Sequence, residues 1–461
     1  MSEPQLRRVL SVTDVVLFNV VVIFSVRGMT TAAKMGPISI LLWIGAVITF
    51  FIPLALTVTE LGTRDPHVGG LYCWVRDSLG ETHGFLGAWY YWVSNITYLP
   101  SLLIFLAGAV AFVIRKPALG DDPIFVASLS LSILWLMAWL NVRGLDAGKV
   151  VTSGGAAASW IAAGLLVVAG AVTLARFGSA TSFAPRAFQS AAGGMGTLAY
   201  FGTLSFALVG LELAPIMGAE IKDPRRTLPR STLISAVVIA VLYILGTIAI
   251  MVALPPAAVS PISGAMGAAQ AVADHVGWPI LGALVAALIA FSVVGGVSAW
   301  LGGSARLPLA VGLDRFLPQA MARLHPRHGT PHVAILFQTA LCSVLIIASQ
   351  AGSTVREAYL IMLDMTIVLT FIPFLYLFLA LPLLRPDHDE PEVVRVPGGK
   401  GVLWLIASLG LLATVITMVT AVIPPPEVTS GLIFEVKMWG GLGLFSIVGY
   451  VIYRSYRAAQ T

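Results

Sequence analysis

The sequence predicts an all-α membrane protein of twelve transmembrane helices, with the first and sixth of them broken, and three observations predict it. Of the 461 residues 58% are hydrophobic and only 11% charged, against roughly 25% charged in an ordinary soluble domain. Apolar runs close to the ~20 residues needed to cross ~30 Å of hydrocarbon recur along the chain. Two of those runs carry glycine and charge deep inside them.

Divided at their polar punctuation, the runs are 11–37, 39–62, 84–114, 124–142, 149–175, 195–221, 231–254, 279–304, 332–350, 356–381, 401–423 and 434–453. Arg7 and Arg8 precede the first run without a small-residue cleavage site, so it is expected to stay in the mature protein. With a cytoplasmic N-terminal tail, 1–10, the inner side receives 19 of the 27 Lys and Arg. That bias follows the positive-inside rule and assigns both termini, including the tail 454–461, to the cytoplasmic side of the cell (inner) membrane. The net charge of +5 is thereby explained by topology, and no nucleic-acid partner is expected. The polar stretches 306–331 and 385–400 are too short for a core of their own.

Several chemistries are excluded. Cys73 and Cys342 lie far apart with no CxxC or His partner, so neither a disulfide framework nor a metal site is indicated. Gly144 to Lys149 falls one residue short of a nucleotide-binding loop and ends in Val150 where Ser or Thr is required. No paired Asp, Ser-His set or HExxH lies within a span, so no enzyme and no cofactor are expected. Transport, if it occurs, is driven by a gradient or by exchange.

The first run, "VVIFSVRGMTTAAKMGP", places Arg27 and Gly28 after an apolar stretch. From Asp14 to Ser25 is about 18 Å of helix at 1.5 Å per residue, just over half of a ~30 Å core. The following "MTTAAKMGP" is too polar and short for a second span, so it completes the first as a second half-helix. In the sixth run Gly210, Glu212 and Pro215 crowd together at similar depth. Broken backbone at mid-membrane is tolerated only where it is buried in protein or lines a cavity. Interrupted segments at corresponding positions of two five-span halves point to a substrate site, with half-helix N–H groups facing a carboxylate and freed carbonyls facing an ammonium or cation. The breaks are expected at 25–30 and 207–212.

The segments "ELGTRDPHVGGLYCWVRDSLG" (60–80), "NVRGLDAGKV" (141–150), "GAEIKDPRRTLPRS" (218–231) and "SAWLGGSARLPLAVGLDRFLPQAMARLHPRHGTP" (298–331) resemble the signatures of the amino acid-polyamine-organocation superfamily of permeases. The resemblance implies a LeuT-type fold: a five-span repeat at 11–175, an inverted five-span repeat at 195–381, and spans 11 and 12 at 401–453. It implies alternating-access secondary transport or exchange of an amino acid around a central site, with H+ or Na+ as the coupling ion. In such relatives the first break cradles the substrate carboxylate with backbone N–H groups. Here "FSVRGMT" departs from the usual glycine-serine-glycine pattern, and Arg27 takes over part of that work. "FALVGLE" matches the pattern of span 6, which makes Phe206 the aromatic gate and Glu212 the acidic residue beyond the break. A span 5 lysine that replaces sodium in many relatives is Ala158 here.

The expected substrate-binding residues are therefore Ser25, Arg27, Gly28, Asn95, Tyr98, Phe206, Val209 and Gly210. Asn95 and Tyr98 belong to a span 3 cluster with Trp89, Tyr90 and Trp92 that reads equally as packing. Phe206, Glu212, Ser292 and Asp364 are the candidates for gating and coupling; Ser298 joins Ser292 as a hydroxyl for a cation, although Ser in such helices more often bonds its own backbone. Arg27 has two kinds of partner available, an internal carboxylate from Glu212 or Asp364, or the substrate's own. Two other functions fit the same pattern: a carrier of polyamines or other organocations, and a non-transporting sensor or partner subunit of this fold.

Overall fold

Ser11 starts the bundle. Its hydroxyl accepts the Asp14 N–H while the Asp14 carboxylate accepts the Ser11 N–H at 2.9 Å, a reciprocal cap that opens helix Val12–Ile23. The computed structural model describes residues 8–65, 69–189, 193–259, 264–278, 280–314, 316–349, 354–384, 393–424, 428 and 430–458; the tail ends 1–7 and 459–461 lie outside them.

After Ile23 the chain is extended at Phe24 and Ser25, and a second helix runs over Val26–Lys34. The interruption thus precedes Arg27 and Gly28, which belong to the first turn of the second helix. The reason is local. Ser25 competes for the helical backbone, taking the Arg27 N–H on its hydroxyl at 3.2 Å, and so caps the new helix. Gly28 answers a different demand, because a Cβ there would come within 2.7 Å of the Tyr243 ring.

The remaining spans are helices Ile38–Ala46 continued by a π turn and Ile52–Arg64, then Glu81–Val113, Pro123–Arg143, Leu145–Phe177, Pro224–Ala253, Leu281–Ser304, His332–Ser349, Val355–Leu384, Lys400–Ala421 and Gly431–Ala458. Among the described residues the only pairing of β type is an isolated parallel bridge between Leu10 and Ile221. Among the described residues eleven segments are long and apolar enough to cross a membrane, against twelve expected. The difference lies in the sixth run. Its helix Gly193–Ala207 has 15 residues, an irregular stretch follows, and helix resumes only over Leu213–Ile216.

The two interrupted segments touch. Gly210 adopts φ +135°, and a Cβ on it would lie 2.6 Å from Val22 and 2.7 Å from Ile23, so only glycine admits both the conformation and the contact. Around them, the first half of span 1 packs on spans 5, 7 and 8, and span 3 packs on spans 8 and 10. Leu432, Val436, Trp439 and Ile447 on the last helix remain exposed, as a lipid-facing surface requires.

Candidate functional site

Helix ends leave carbonyls and N–H groups without partners, and in a membrane interior each must be satisfied from within the protein. Tyr243 of span 7 does most of this. Its hydroxyl accepts the Ser25 N–H at 3.1 Å and stands 2.6 Å from the Ile23 carbonyl and 3.0 Å from that of Ala207, reaching both breaks at once. The ring stacks on Trp43 at 4.4 Å. Trp300 Nε1 donates to the Val22 carbonyl at 3.0 Å, and the Ser159 hydroxyl donates to that of Phe24 at 3.5 Å. On the donor side, the Arg27 N–H goes to Ser25 Oγ and the Gly28 N–H to the Ser25 carbonyl. The N–H groups of Ser25, Arg27 and Gly28, where a backbone cradle for a carboxylate was expected, are thus taken within the chain.

Between the breaks lies a cavity of about 50 Å³. Ser25, Arg27, Gly28, Asn95, Tyr98, Phe206 and Val209 line it. Gly210 stands outside the lining and makes the contact with span 1 described above. The structure adds Tyr243, Trp300, Tyr359 and Thr366 to the wall. Tyr98 meets Phe206 edge-on at 5.8 Å and Trp300 at 5.2 Å, which closes an aromatic side of the cavity.

Arg27 is 7% exposed. Its guanidinium carbon lies 5.6 Å from the Tyr98 ring and 5.8 Å from that of Tyr359, and its Nη1 is buried without a hydrogen-bond partner. Among the described residues it forms no ion pair, so neither internal carboxylate proposed for it is its partner. Glu212 is held elsewhere: Oε1 receives the Tyr91 hydroxyl at 2.6 Å and Oε2 the Gly210 N–H at 3.0 Å. Asp364 lines a larger cavity of about 390 Å³, with Lys34 and Tyr200. Thr31, Thr203, Tyr359 and Leu363 line both cavities, which therefore adjoin. Asn95 donates through Nδ2 to the Tyr91 carbonyl at 2.8 Å, while its Oδ1 is buried without a partner.

The two serines proposed for a cation lie apart. Ser292 lines a space of about 20 Å³ beside Ser25 and Val26. Ser298 accepts Asn141 Nδ2 at 3.0 Å and borders a different cavity, next to Asp14 and Lys149. Ala158 is buried.

On the side of the bundle where span 1 begins, charged pairs join the elements. Arg306 grips Glu220 bidentately, Nη2 to Oε1 at 2.9 Å and Nε to Oε2 at 3.1 Å, with both side chains 2% exposed. The Glu220 carbonyl takes the N–H groups of Val9 and Leu10. Lys149 pairs with Asp14 at 2.8 Å, and Arg76 with Asp314 at 2.5 Å.

Tyr243 could have been singled out as the lone hydroxyl-bearing aromatic in the apolar run "AVVIAVLYILGT". Tyr359 gives no such signal, since only the fold brings it to Arg27.

The chain is 28% identical over 454 residues to an uncharacterized transporter of Legionella pneumophila, covering 98% of this chain and 97% of the relative. It is 22% identical over 449 residues to a probable agmatine/putrescine antiporter of Lactococcus lactis, covering 96% and 94%. It is also 22% identical over 397 residues to a glutamate/gamma-aminobutyrate antiporter of that species, covering 82% and 76%. The crystal structure of MhsT in complex with L-phenylalanine superposes with a TM-score of 0.64 at 14% identity, over 90% of this chain and 99% of that one. With residues 10–442 matching the amino acid permease model and a LeuT-type helical fold, the chain belongs to the amino acid permease family of the amino acid-polyamine-organocation superfamily, and is a secondary transporter of amino acids.

Proposed function

We propose that the central cavity between the two breaks is the substrate site and that the chain exchanges amino acids across the inner membrane by alternating access, with both termini cytoplasmic. The observation that carries this is a polar mismatch. Of the side-chain atoms lining the cavity, Arg27 Nη1 and Asn95 Oδ1 are buried without partners, and a carboxylate with a nearby ammonium complements both. The large cavity opens on the side away from the termini while ion pairs close the other, a one-sided arrangement that alternating access requires. The two repeats, 11–175 and 195–381, supply the elements that rock against each other.

Phe206 is the gate in this scheme, as a half-buried ring between the cavity and its neighbour Tyr98. Glu212 is the group we assign to proton coupling. Its carboxyl ties Gly210 in the span 6 break to Tyr91 in span 3, so a change in its protonation changes how the break is held. Exchange as the mode is supported by the two lactococcal relatives, which are antiporters. A dicationic substrate, which the first of them suggests, meets a buried guanidinium here.

Purified protein in vesicles preloaded with unlabelled amino acids tests the reading. Labelled amino acid should accumulate by counterflow. Vesicles that exchange no amino acid, in either direction and at any imposed pH gradient, would refute it.

A further inference from the structure

Arg27 is the one charged side chain among the residues that line the central cavity. We propose, on the reading that this cavity is the substrate site, that it selects a substrate of net negative charge: an amino acid with a second carboxylate, of the aspartate or glutamate kind.

The argument is one of charge balance in a closed space. A zwitterion entering the cavity leaves it with the guanidinium's charge uncompensated, and a diamine raises the total further. An amino dicarboxylate brings the sum to zero. Uncompensated charge in a protein interior at mid-membrane is expensive, whereas a hydrogen-bonded pair of opposite charges is tolerated. Among the described residues no carboxylate lines this cavity or pairs with the guanidinium. The Glu212 oxygens are occupied by Tyr91 and the Gly210 N–H, and Asp364 lines the neighbouring cavity.

The usual competitor for a carboxylate, an open half-helix terminus, is also weakened. Ser25, Arg27 and Gly28 have spent their N–H groups on Tyr243 and Ser25. One carboxylate therefore goes to the guanidinium, whose planar fork suits it. Asn95 Oδ1, buried and without a partner, accepts from the ammonium. The second carboxylate has hydroxyls within the same wall, on Thr31, Tyr98 and Tyr359. The rings of Tyr98 and Tyr359 flank the guanidinium and stabilise its charge.

The test is a ranking of ligands by thermal shift and by counterflow in vesicles, using L-aspartate, L-glutamate, L-alanine, L-leucine and putrescine with the full-length protein. At least one acidic amino acid should stabilise and exchange at concentrations tenfold or more below those needed for alanine or leucine, and putrescine should do neither. Arg27→Gln should erase that tenfold preference, while Arg27→Lys should keep the order with weaker binding; size-exclusion profiles report whether each variant is folded. If a variant aggregates, the wild-type ranking decides alone. Preference for alanine or leucine over both acidic ligands would overturn the proposal and leave amino acid transport intact. A folded Arg27→Gln that still prefers acidic ligands would overturn it equally. Exchange of no amino acid at all would remove the central-site reading together with this one.

Discussion

Tyr243→Phe removes one oxygen from the point where both interrupted helices are held. The hydroxyl accepts from Ser25 and has two carbonyls in reach, Ile23 at 2.6 Å and Ala207 at 3.0 Å. A hydroxyl carries one hydrogen, so it serves one carbonyl at a time, and two bonds exist at any moment. Their loss leaves the Ser25 N–H and a carbonyl buried and unpaired, at about 1 to 3 kcal/mol for each. The ring stays stacked on Trp43 and against Phe24, so no cavity term is added, and a total of about 2 to 6 kcal/mol is expected. That is roughly 30- to 20,000-fold in the folding equilibrium constant. The assay is melting of the purified protein with and without a saturating amino acid, together with the binding constant in vesicles. Tyr243→Phe should melt earlier, and should bind more weakly because the two breaks that frame the cavity are held less firmly. Thr247→Val, which removes the Trp43 Nε1 acceptor at 3.1 Å and a donor to the Tyr243 carbonyl at 2.7 Å but leaves both breaks held, should cost about 1 to 3 kcal/mol in melting with binding unchanged. If Tyr243→Phe matches the wild type in both measurements, the hydroxyl does not hold the breaks and the reasoning fails.

Phe206→Ala should raise the KM for uptake about two- to tenfold, the loss expected for an aromatic pair of about 0.5 to 1.5 kcal/mol, without lowering the amount of folded protein; unaltered kinetics would reduce the ring to packing. Glu220→Gln leaves Arg306 buried without its counter-charge, at about 3 to 5 kcal/mol, and should favour the state open on the terminus side. A cysteine placed at Ser153, in the small cavity beside Lys149 and Arg306, should then react faster with a maleimide from that side, and an unchanged rate would sink the latch. The background for that experiment is quiet: burial pushes the Cys73 thiol up to about 12, and Cys342 is buried within span 9. Since only the thiolate reacts, native protein at neutral pH should take up no maleimide, and prompt labelling of either cysteine would show that its surroundings open.

The helices were legible because hydropathy and length alone specify a span, and the positions of the two interruptions along the chain were legible because polar and glycine residues gather there inside apolar runs. What misled was the cause assigned to single residues. Gly28 reads as a helix breaker, yet it makes room for the Tyr243 ring, and the break falls three residues earlier where Ser25 provides a cap. Glu212 is one of two internal carboxylates the sequence leaves open to Arg27, yet it pairs with Tyr91, in a run of aromatics that pattern alone leaves open between packing and cavity. Such choices depend on which side chain a distant span brings within 3 Å, and periodicity along one helix carries no record of that.

Arg27 shows where the interrupted helices leave their polar deficit. Every carbonyl freed from Val22 to Phe24 has found a donor inside the protein, on Trp300, Tyr243 or Ser159, and the first N–H groups of the second half-helix have found acceptors. A fold that completes its own backbone at mid-membrane has no structural need for a guanidinium beside it. The charge nevertheless stands in the cavity wall, with aromatic faces on two sides and no carboxylate. About 2.5 to 3.5 kcal/mol is the insertion penalty for arginine at a helix centre, and two ring faces together return about 1 to 4 kcal/mol, the same order. Ring faces supply no hydrogen-bond acceptor, so the buried Nη1 still lacks a partner, and a carboxylate arriving between the two breaks supplies both the acceptor and the opposite charge.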